Sequence, residues 1–565
     1  MKKCNARFLS LGLLLALVGQ TISSDASSAS GRHGIAATIH PLATEAAVKA
    51  MRNGGNAIDG AIAAALTLGV VDGHNSGIGG GCFFLIHVAN GSVVAIDGRE
   101  TAPAKASRDM FVRQGKADPN LSQTGALAAG VPGALAAYDD ALTKYGRCGL
   151  RRHLLAAAEI AERGFRLDST YAQRLAATAA ELSQFPQTRR IFLKADGSLF
   201  RSGDILCQPD LATTYRSIAQ HGIDWFYRGP FSERTESWMR DHGGMLSAAD
   251  FAAYRAPFRE AVTNNYRDCV IIGFPPPSSG GVHVAQILNI LEHFDLRKFG
   301  PNSADLIHMV TEAMKLAFAD RAFWLGDPDF AAVPRGLISR EYAARLAGRI
   351  DLHHASPVEK HNTPEASTSD VFGKHTTHFC VADDAGNWVA CTATINTSFG
   401  SKVVVPGTGV LLNNEMDDFS LQPGVANYFG LIGADANAVA PGKRPLSSMS
   451  PTFVLRDGRP IFSVGAAGGP TIISQVLLAI INTVDFGMPV EKALAQPRFH
   501  HQWRPDELKI ERRIGMPIIE ELQRRGHHVV TVGSLGAAQA IAFDPGKRQF
   551  RGSADPRSQG EAAGF

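Results

Sequence analysis

A threonine-rich segment between residues 376 and 400 contains the residues whose types and spacing could do covalent chemistry. Thr376 opens this segment, after a polar stretch and before an apolar run. A threonine hydroxyl is a weak nucleophile unless a base lies beside it. A threonine at a new chain terminus carries its own base, because the α-amine has a reference pKa of about 7.7–8.0. Cleavage before Thr376 would create such a nucleophile, whereas an uncut chain would leave these threonines as ordinary strand residues.

Other familiar chemistries find little support in the sequence. The chain has no G-x-S-x-G pentapeptide of the α/β hydrolases and no HExxH zinc motif. The glycine run at 77–81 lacks the Lys-Ser/Thr ending of a phosphate-binding loop, so we interpret it as a structural turn. The histidine pairs 353–354, 500–501 and 527–528 are adjacent, and neighbouring side chains on a regular element cannot face one metal ion. We therefore expect no metal site at these pairs.

Two short runs after Thr376 have the two-residue period of β-strands. They cover residues 377–382 and 388–395, on either side of the turn sequence 383–387. Both faces of each run are largely apolar, which is typical of strands covered by layers on both sides. Residues 361–370 are polar and rich in turn formers, and predict either an ordinary surface loop or a processing segment. The sequence therefore predicts a buried hairpin that begins at the candidate nucleophile.

Most other periodic segments predict α-helices. Asn56 is a suitable N-cap for an apolar helix over 57–68, and Gly54-Gly55 ends the helix before it. A strand is predicted at 82–88, and the turn 274–281 opens another helix. Further helices are predicted over 154–163, 304–323, 340–349, 472–484 and 491–495. Helices that flank internal sheets predict a layered α/β protein.

Composition restricts the class of protein. The chain has 565 residues, 45% of them hydrophobic and 19% charged, and a formal net charge of +3. This balance gives no basic field for nucleic acid or for an anionic membrane surface. The sequence has no heptad repeat, collagen period or low-complexity tract, which excludes fibrous and disordered classes. A large folded protein of enzyme size remains.

The N-terminus has the three parts of a secretory signal peptide. A basic region at 2–7 precedes the apolar run 8–18, and small polar residues follow. The run is too short to span a bilayer, which needs about 20 residues. We predict a signal peptide over 1–29, cut between residues 20 and 30, and an exported protein that is periplasmic or secreted.

The spacing of the cysteines predicts neither a disulfide framework nor a metal site. Cys4 lies in the signal peptide, and the remaining cysteines of the seven are scattered without metal-type spacing. Cys380 and Cys391 lie in the two strands of the predicted hairpin. The sequence leaves open whether they form a disulfide, which an exported protein permits, or are free buried thiols.

The segment 376–400 resembles the catalytic motif of the γ-glutamyltranspeptidases, a family of N-terminal-nucleophile enzymes. The matching positions are Thr376-Thr-His378, Gly386-Asn387, Thr392-Ala-Thr394, Asn396 and Phe399-Gly400. Cys380 departs from the family, which usually has Ser or Thr there. Further blocks resemble the family over nearly the whole mature chain, at 75–81, 97–103, 276–281, 413–420, 443–451 and 555–557.

The resemblance implies a four-layer αββα sandwich, the N-terminal-nucleophile hydrolase fold, formed jointly by two subunits cut from one precursor. Thr376 matches the nucleophile, so the precursor is expected to cleave itself between His375 and Thr376. The products would be a large subunit, 30–375, and a small catalytic subunit, 376–565, which remain together as a heterodimer.

The resemblance also assigns the residues of the site. Thr394 matches the residue that hydrogen-bonds the nucleophile. Gly468 and Gly469 match the backbone N–H pair that stabilises the oxyanion, and one such donor is worth about 3 kcal/mol in the transition state. Arg99 matches the residue that grips the substrate α-carboxylate, which a guanidinium can do bidentately. The other matched positions are Ser447 and Ser448, as hydroxyl partners of that carboxylate, and Asn396, Glu415 and Asp418, as acceptors for the α-ammonium.

One position of the predicted site differs from part of the family. Some bacterial relatives have a lid tyrosine that hydrogen-bonds the asparagine matched by Asn396. Phe429 stands at that position here, beside Tyr428. The resemblance therefore implies an aromatic lid without this hydrogen bond.

The implied activity is transfer of the γ-glutamyl group of glutathione and related γ-glutamyl amides to Thr376, and then to water or an amino-acid or peptide acceptor. No metal and no organic cofactor is implied. Two alternatives remain open. One is a cephalosporin or glutaryl acylase of the same fold, against which Asp418 argues because a glutaryl chain has no ammonium to bind. The other is an exported γ-glutamyl-binding protein, which the absence of processing would identify.

Overall fold

Two seven-stranded antiparallel sheets lie face to face in the computed structural model, which describes residues 27–364 and 378–565. Sheet A has, in spatial order, the strands Ser28–Gly31, Gln549–Ala554, Ala537–Asp544, Arg459–Ala467, Thr452–Arg456, Cys269–Gly273 and Val262–Tyr266. Sheet B has the strands Glu561–Gly564, Gly34–Thr38, Phe379–Asp383, Trp388–Thr394, Gly81–His87, Val93–Gly98 and Phe258–Arg259. Most of the predicted signal peptide and the predicted cleavage site His375–Thr376 lie outside the described residues.

Helices cover the outer face of each sheet. Those over sheet B, directly or one helix further out, are Pro41–Arg52, Ala57–Val71, Ala134–Tyr145, Leu150–Arg163 and Pro209–His221. Those over sheet A are Gly280–Leu291, Ala304–Trp324, Arg340–Ala347, Thr471–Val484 and Val490–Ala495. A layer of helices, two sheets and a second layer of helices make the four-layer αββα sandwich, which confirms the predicted fold class.

Smaller elements complete the described chain. The remaining helices are Pro119–Gln123, Ser169–Leu182, Pro186–Phe192, Asp224–Tyr227, Pro230–Asp241, Ala248–Ala253 and Met516–Arg524. A three-stranded sheet contains Phe499–His500, Leu508–Glu511 and Val529–Val532, and two short hairpins pair Val112–Arg113 with Lys116–Ala117 and Phe165–Arg166 with Ile205–Leu206. None of the helices within 27–364 and 378–565 is long and apolar enough to cross a membrane.

The strands of sheet B bury both of their faces. Phe83 and Leu85 pack into the core shared with sheet A, whereas Phe84 and Ile86 pack beneath the helices on the other side. The predicted hairpin behaves in the same way, because Phe379–Asp383 pairs with Trp388–Thr394 and nearly every side chain in it is buried. The apolar pattern on both faces thus reflects a strand with a layer on each side.

Local signals fixed several helix ends correctly. The Asn56 side chain accepts hydrogen bonds from the N–H groups of Ile58 and Asp59, and the Asp59 carboxylate accepts one from the Asn56 N–H. This capping box starts the helix Ala57–Val71. The predicted helix 304–323 is observed as Ala304–Trp324. Each of these helices is buried over most of its surface.

The cysteines of the described chain are all free thiols. Cys391 lies opposite Phe379 and Cys380 lies opposite Ala390, so the two cysteines of the hairpin are not a directly facing pair. The Cys380 Sγ instead lies 3.1 Å from the Ser463 hydroxyl of sheet A, and burial raises the pKa of this thiol. Of the two possibilities that the sequence left open, the structure has the free buried thiols.

Both sheets draw strands from either side of residue 376. Ser28–Gly31 pairs with Gln549–Ala554, and Gly34–Thr38 pairs with both Phe379–Asp383 and Glu561–Gly564. The chain ends at this corner, where the Phe565 carbonyl accepts hydrogen bonds from the backbone N–H groups that follow Gly31. The early and late parts of the chain therefore form one interleaved core.

Candidate active site

Three neighbouring strands of sheet B begin or end on the same side of the sheet and carry the first group of predicted site residues. Thr394 is the last residue of its strand and lies opposite Gly81, while Cys82 of that neighbouring strand lies opposite Gly98. Arg99 directly follows Gly98. Antiparallel pairing therefore brings Thr394 and Arg99 to one edge, although they are far apart in sequence.

Sheet A contributes a pair of glycines at the corresponding place. Gly468 and Gly469 follow the strand Arg459–Ala467 and have φ angles of 135° and 59°, in the left-handed region that favours glycine. A Cβ on Gly469 would come within 2.6 Å of the Phe429 ring. The turn therefore needs glycine both for its backbone angles and for space.

These strand ends enclose a cavity of about 490 Å³. Every described residue of the predicted site lines it except Arg99, namely Thr394, Asn396, Glu415, Asp418, Ser447, Ser448, Gly468 and Gly469. The predicted nucleophile Thr376 and its neighbour His375 lie outside the described residues. The cavity thus gathers groups from both sheets and from the loops between them.

Arg99 lies behind the cavity wall, 0% exposed. Its guanidinium donates hydrogen bonds to the Glu415 carboxylate, to Asp418 Oδ2 at 2.7 Å and to the Pro445 carbonyl at 3.1 Å. A third carboxylate, that of Glu100, lies 3.7 Å away. Arg99 is thus surrounded by the two acids that the resemblance assigns to the substrate ammonium, and it is not itself open to the cavity.

The charges of this cluster do not balance. Burial works to lower the pKa of Arg99, but the carboxylates of Glu415, Asp418 and Glu100 outweigh it and raise that pKa. Burial also raises the pKa of Glu100 to about 7, and that of Glu415 well above its usual range, in spite of the nearby guanidinium. Three acids around one guanidinium cannot all ionise without a cost, and a bound ammonium would favour their charged forms.

Thr394 and Asn396 form a tight turn at the end of their strand. The Asn396 N–H donates to Thr394 Oγ1 at 2.7 Å, so the Thr394 proton remains available to another acceptor. Asn396 has a φ of 74°, and its side-chain amide donates to the Asn414 carbonyl at 2.9 Å. Thr392 lies two residues earlier, and its buried hydroxyl has no partner within the described chain. Thr392 lines the cavity as well, and the two-residue strand period could have identified it.

Ser447 and Ser448 are held from behind by the loop before the helix Gly280–Leu291. The Ser447 N–H donates to the Pro277 carbonyl at 2.7 Å, and the Ser279 N–H and hydroxyl both donate to the Ser447 carbonyl at 2.7 Å. This loop belongs to the proline- and glycine-rich block 276–281. The block therefore supports the serine pair directly.

Arg321 is a cavity residue that the sequence analysis missed. It lies near the end of the buried helix Ala304–Trp324, and its guanidinium donates to the hydroxyls of Ser279 and Ser448, each at 3.0 Å. Burial lowers its pKa to about 10, although the charge of Asp418 opposes this shift. No carboxylate lies within ion-pair distance of it in the part of the chain that is described. The sequence predicted only the helix 304–323 at this place, and no local signal singled out Arg321.

Phe429, the predicted lid residue, packs on the turn that contains Gly468 and Gly469. The Phe429 ring contacts Gly469, whereas Tyr428 is 56% exposed. The Asn427 amide lies 3.4 Å from Asp418 Oδ1, and the Tyr428 N–H donates to Asp417 Oδ2 at 2.9 Å. The lid is thereby joined to the acidic turn Glu415–Asp418, and the Asn396 amide bonds a backbone carbonyl instead of the lid.

The cavity extends to a second group of polar residues beyond the acidic turn. Asp72, His74, Asp168 and Arg174 line this end, and the Asn75 amide donates to Asp72 Oδ1 at 3.0 Å. Burial raises the pKa of Asp72 to about 8 and lowers that of His74 to about 3. None of these residues was singled out from the sequence.

One buried group has the composition of a metal site. Ligand atoms of His308, Glu312 and His527 lie within 4.8 Å of one another. The two rings already hydrogen-bond each other at 2.7 Å, and the Lys315 ammonium bonds the Glu312 carboxylate at 2.8 Å. These contacts satisfy the polar groups, and the ammonium occupies the place where a cation would bind the carboxylate.

Comparison with known proteins gives consistent matches over nearly the whole chain. The family model described as gamma-glutamyltranspeptidase matches residues 43–565. The glutathione hydrolase proenzyme of Escherichia coli (strain K12) is 42% identical over 530 residues, 93% of this chain and 91% of that protein. Two solved structures match this fold. The cephalosporin acylase from Bacillus halodurans has a TM-score of 0.86 at 30% identity, covering 95% of this chain and 97% of that chain. A chain of Helicobacter pylori gamma-glutamyltranspeptidase has a TM-score of 0.57 at 38% identity, covering 57% and 94%.

Proposed function

This chain belongs to the γ-glutamyltranspeptidase family, and from this premise we propose that it is a self-processing γ-glutamyltransferase and glutathione hydrolase. The observation that carries the proposal is the single cavity at the strand ends. It combines a hydroxyl that can hold a nucleophile, a glycine turn and a buried cluster of acids around Arg99. These parts suit a γ-glutamyl donor, which has a scissile amide at one end and an amino-acid head at the other.

Strand register supports Thr376 as the nucleophile. In the observed hairpin Phe379 lies opposite Cys391 and Val381 opposite Val389. A processed chain that continued this register by three residues would set Thr376 opposite Thr394. The Thr394 hydroxyl, whose oxygen already accepts from the Asn396 N–H, would then be free to donate to the Thr376 oxygen.

The reaction then needs only groups of the protein. The α-amine of Thr376 accepts the hydroxyl proton as the oxygen attacks the γ-carbonyl carbon, and the N–H groups of Gly468 and Gly469 stabilise the oxyanion. Collapse of the tetrahedral intermediate transfers the proton to the departing amine and leaves a γ-glutamyl ester. Water or an acceptor amine attacks this ester and restores Thr376.

The site recognises the donor by its amino-acid end, that is, by the α-ammonium and the α-carboxylate. Glu415, Asp418 and Asn396 accept hydrogen bonds from the α-ammonium, while Ser447 and Ser448 donate to the α-carboxylate. Arg99, which bonds both acids in the structure, is the cation that the resemblance assigns to the α-carboxylate. Glutathione and related γ-glutamyl amides carry this head, and amino acids or dipeptides are the acceptors.

Cleavage between His375 and Thr376 would leave a large subunit that ends at His375 and a small subunit, 376–565. Interleaved strands keep them together as a heterodimer. Ser28–Gly31 belongs to sheet A, so we place signal-peptide cleavage before Ser27, within the predicted window, and the mature enzyme outside the cytoplasm.

An acylase of the same fold is the second candidate, because a cephalosporin acylase is among the structures that match. The acidic cluster separates the two functions, since a glutaryl side chain offers no ammonium for Glu415 and Asp418. Hydrolysis of a γ-glutamyl anilide at a much higher kcat/KM than a glutaryl anilide would favour the transpeptidase, and the reverse order would favour the acylase.

Intact mass under denaturing conditions tests the processing step. The wild type should give two fragments that meet at His375/Thr376, and Thr376→Ala should give one uncut, inactive chain. Thr213→Ala, which removes an exposed helical threonine outside the cavity, is the control and should process normally. An uncut, soluble wild-type chain would instead indicate a γ-glutamyl-binding protein.

A further inference from the structure

We propose that Arg321 is a positioning residue for the α-carboxylate of the donor, acting through the hydroxyl of Ser448 and through its own positive charge on the cavity wall. This inference rests on the proposed function, because it takes Ser447 and Ser448 as the carboxylate-binding pair. It adds Arg321 to a subsite for which the resemblance gives Arg99, Ser447 and Ser448.

Hydrogen-bond direction is the first step. Arg321 Nη2 donates to the Ser448 Oγ at 3.0 Å, and a guanidinium can only donate. The Ser448 oxygen is therefore used as an acceptor, which leaves its proton free to point to another group. Ser448 lines the cavity, so a carboxylate bound there can accept that proton.

Ser279 extends the same arrangement to Ser447. The Nε of Arg321 donates to the Ser279 hydroxyl at 3.0 Å, and this hydroxyl in turn donates to the Ser447 carbonyl at 2.7 Å. One planar guanidinium thus fixes both serines, one by its hydroxyl and the other by its backbone. A lysine ammonium has no rigid fork and would not hold both hydroxyls in one geometry.

Charge is the second step. Arg99 makes contacts to two carboxylates and a backbone carbonyl, whereas the described partners of Arg321 are the neutral hydroxyls of Ser279 and Ser448. Arg321 itself lines the cavity and Arg99 does not. Arg321 is therefore a cation on the cavity wall with no carboxylate within ion-pair distance among the described residues, so its charge can act on an anion bound there.

The inhibition constants of two ligands, L-glutamate and 4-aminobutyrate, test this role. L-glutamate carries both the α-ammonium and the α-carboxylate, whereas 4-aminobutyrate lacks that carboxylate. In Arg321→Gln, the inhibition constant of L-glutamate against γ-glutamyl anilide hydrolysis should rise about 10-fold or more, the loss expected for one charge-assisted hydrogen bond. The inhibition constant of 4-aminobutyrate should change less than about 2-fold, since RT ln 2 is a small fraction of one such bond.

Two further variants keep the test decisive if Arg321→Gln does not fold or process. Arg321→Lys keeps the charge and should give an intermediate, still carboxylate-selective loss, and Ser279→Ala should give a smaller selective loss. Arg267→Gln removes a guanidinium that bonds Asp485 and Glu292 outside the cavity, and is the control for general destabilisation. It should lower Tm without changing the ratio of the two inhibition constants.

The outcomes separate the inference from its premise. A processed wild type that does not hydrolyse the γ-glutamyl anilide would overturn the proposed function before any variant is tested. An active wild type, with both inhibition constants raised equally in the Arg321 and Ser279 variants, would overturn the positioning role alone. A fall in kcat with unchanged binding of L-glutamate would overturn it too.

Discussion

Two buried guanidiniums lie close to the same cavity in opposite electrostatic surroundings. Arg99 is enclosed by the carboxylates of Glu100, Glu415 and Asp418, and their charge raises its pKa. Arg321 bonds neutral hydroxyls, and burial lowers its pKa to about 10. One region therefore gathers acidic groups around its cation, whereas the other has a cation without an acidic partner among the described residues.

The difference matches the two ends of an amino-acid zwitterion. An ammonium is stabilised by the acidic region and a carboxylate by the basic one, and a ligand that carries both gains from each. A site with two like regions would bind a dication or a dianion instead. The following predictions test whether the two regions differ in this way.

The largest expected effect concerns stability at Arg99. Arg99→Gln leaves Glu415 and Asp418 buried without their cation, and breaking a buried ion pair on one side typically costs about 3–5 kcal/mol. Arg321→Gln should cost only about 1–2 kcal/mol, because its lost partners are neutral hydroxyls. Urea unfolding of both variants measures the contrast, and equal losses would show that the two surroundings are alike.

The next largest effect is expected for Asp418, in the relative affinities for ligands with and without an ammonium group. Asp418→Asn removes one acceptor charge for the ammonium, and L-glutamate binding should weaken about 10- to 100-fold, as for a lost charged hydrogen bond. Glutarate, which has no ammonium, should bind the variant as well as the wild type or better. Competition against γ-glutamyl anilide hydrolysis gives both constants. Weaker glutarate binding in Asp418→Asn would contradict the division into two regions.

A smaller effect is expected in the pH dependence of stability. The pKa of Glu100 rises from 4.5 to about 7 in the fold, so the folded protein keeps a proton that the unfolded chain loses between these pH values. The wild type therefore loses stability from this group as pH rises from about 4.5 to 7, by an amount on the order of 1 kcal/mol. The glutamine side chain of Glu100→Gln does not titrate, so it stays uncharged over this pH range.

Thermal unfolding of Glu100→Gln and wild type from pH 5 to pH 8 measures this contribution. The Tm of the variant minus that of the wild type should increase with pH. A constant difference would mean that the acidic cluster around Arg99 holds no titrating proton in that range.

The smallest effect is expected at the lid. The Phe429 ring packs on Gly469 and has no polar atom with which to bond either charge of a ligand. Phe429→Ala should therefore weaken L-glutamate, 4-aminobutyrate and glutarate by a similar factor, about 3- to 10-fold for the loss of part of an apolar contact. Selective loss for one ligand would place the lid within one of the two charged regions. Phe429→Tyr should stay within about 2-fold of the wild type, because only one hydroxyl is added.

Local sequence patterns were sufficient for much of the fold. The two-residue period predicted the hairpin Phe379–Asp383 and Trp388–Thr394, and the capping residue Asn56 predicted the start of its helix. These features depend on neighbours in the chain, which a single sequence displays. The resemblance supplied the layer order and the cavity residues, which no local pattern contains.

The rest of the site depends on contacts between distant segments. Arg321 and Ser448 are 127 residues apart, and no local pattern links them. The resemblance assigns Arg99 to the substrate carboxylate, but only the structure shows that its guanidinium also bonds Glu415 and Asp418, which come from a distant turn. The strand Ser28–Gly31 likewise became recognisable only through its partner Gln549–Ala554.

The meeting of the chain ends has a consequence for protein engineering. An added Cβ at Gly31 would lie 2.6 Å from the Phe565 nitrogen, so Gly31 and Phe565 are in close contact. Ser28 is three residues before Gly31, and an extended chain spans about 3.4 Å per residue. A short glycine linker can join Phe565 to this strand, as in circularly permuted proteins whose termini are adjacent. The permuted gene would open at Thr376 and finish at His375. Under the proposed function, its product, once the initiator methionine is removed, would be one chain that carries the free Thr376 amine from synthesis and needs no cleavage at His375.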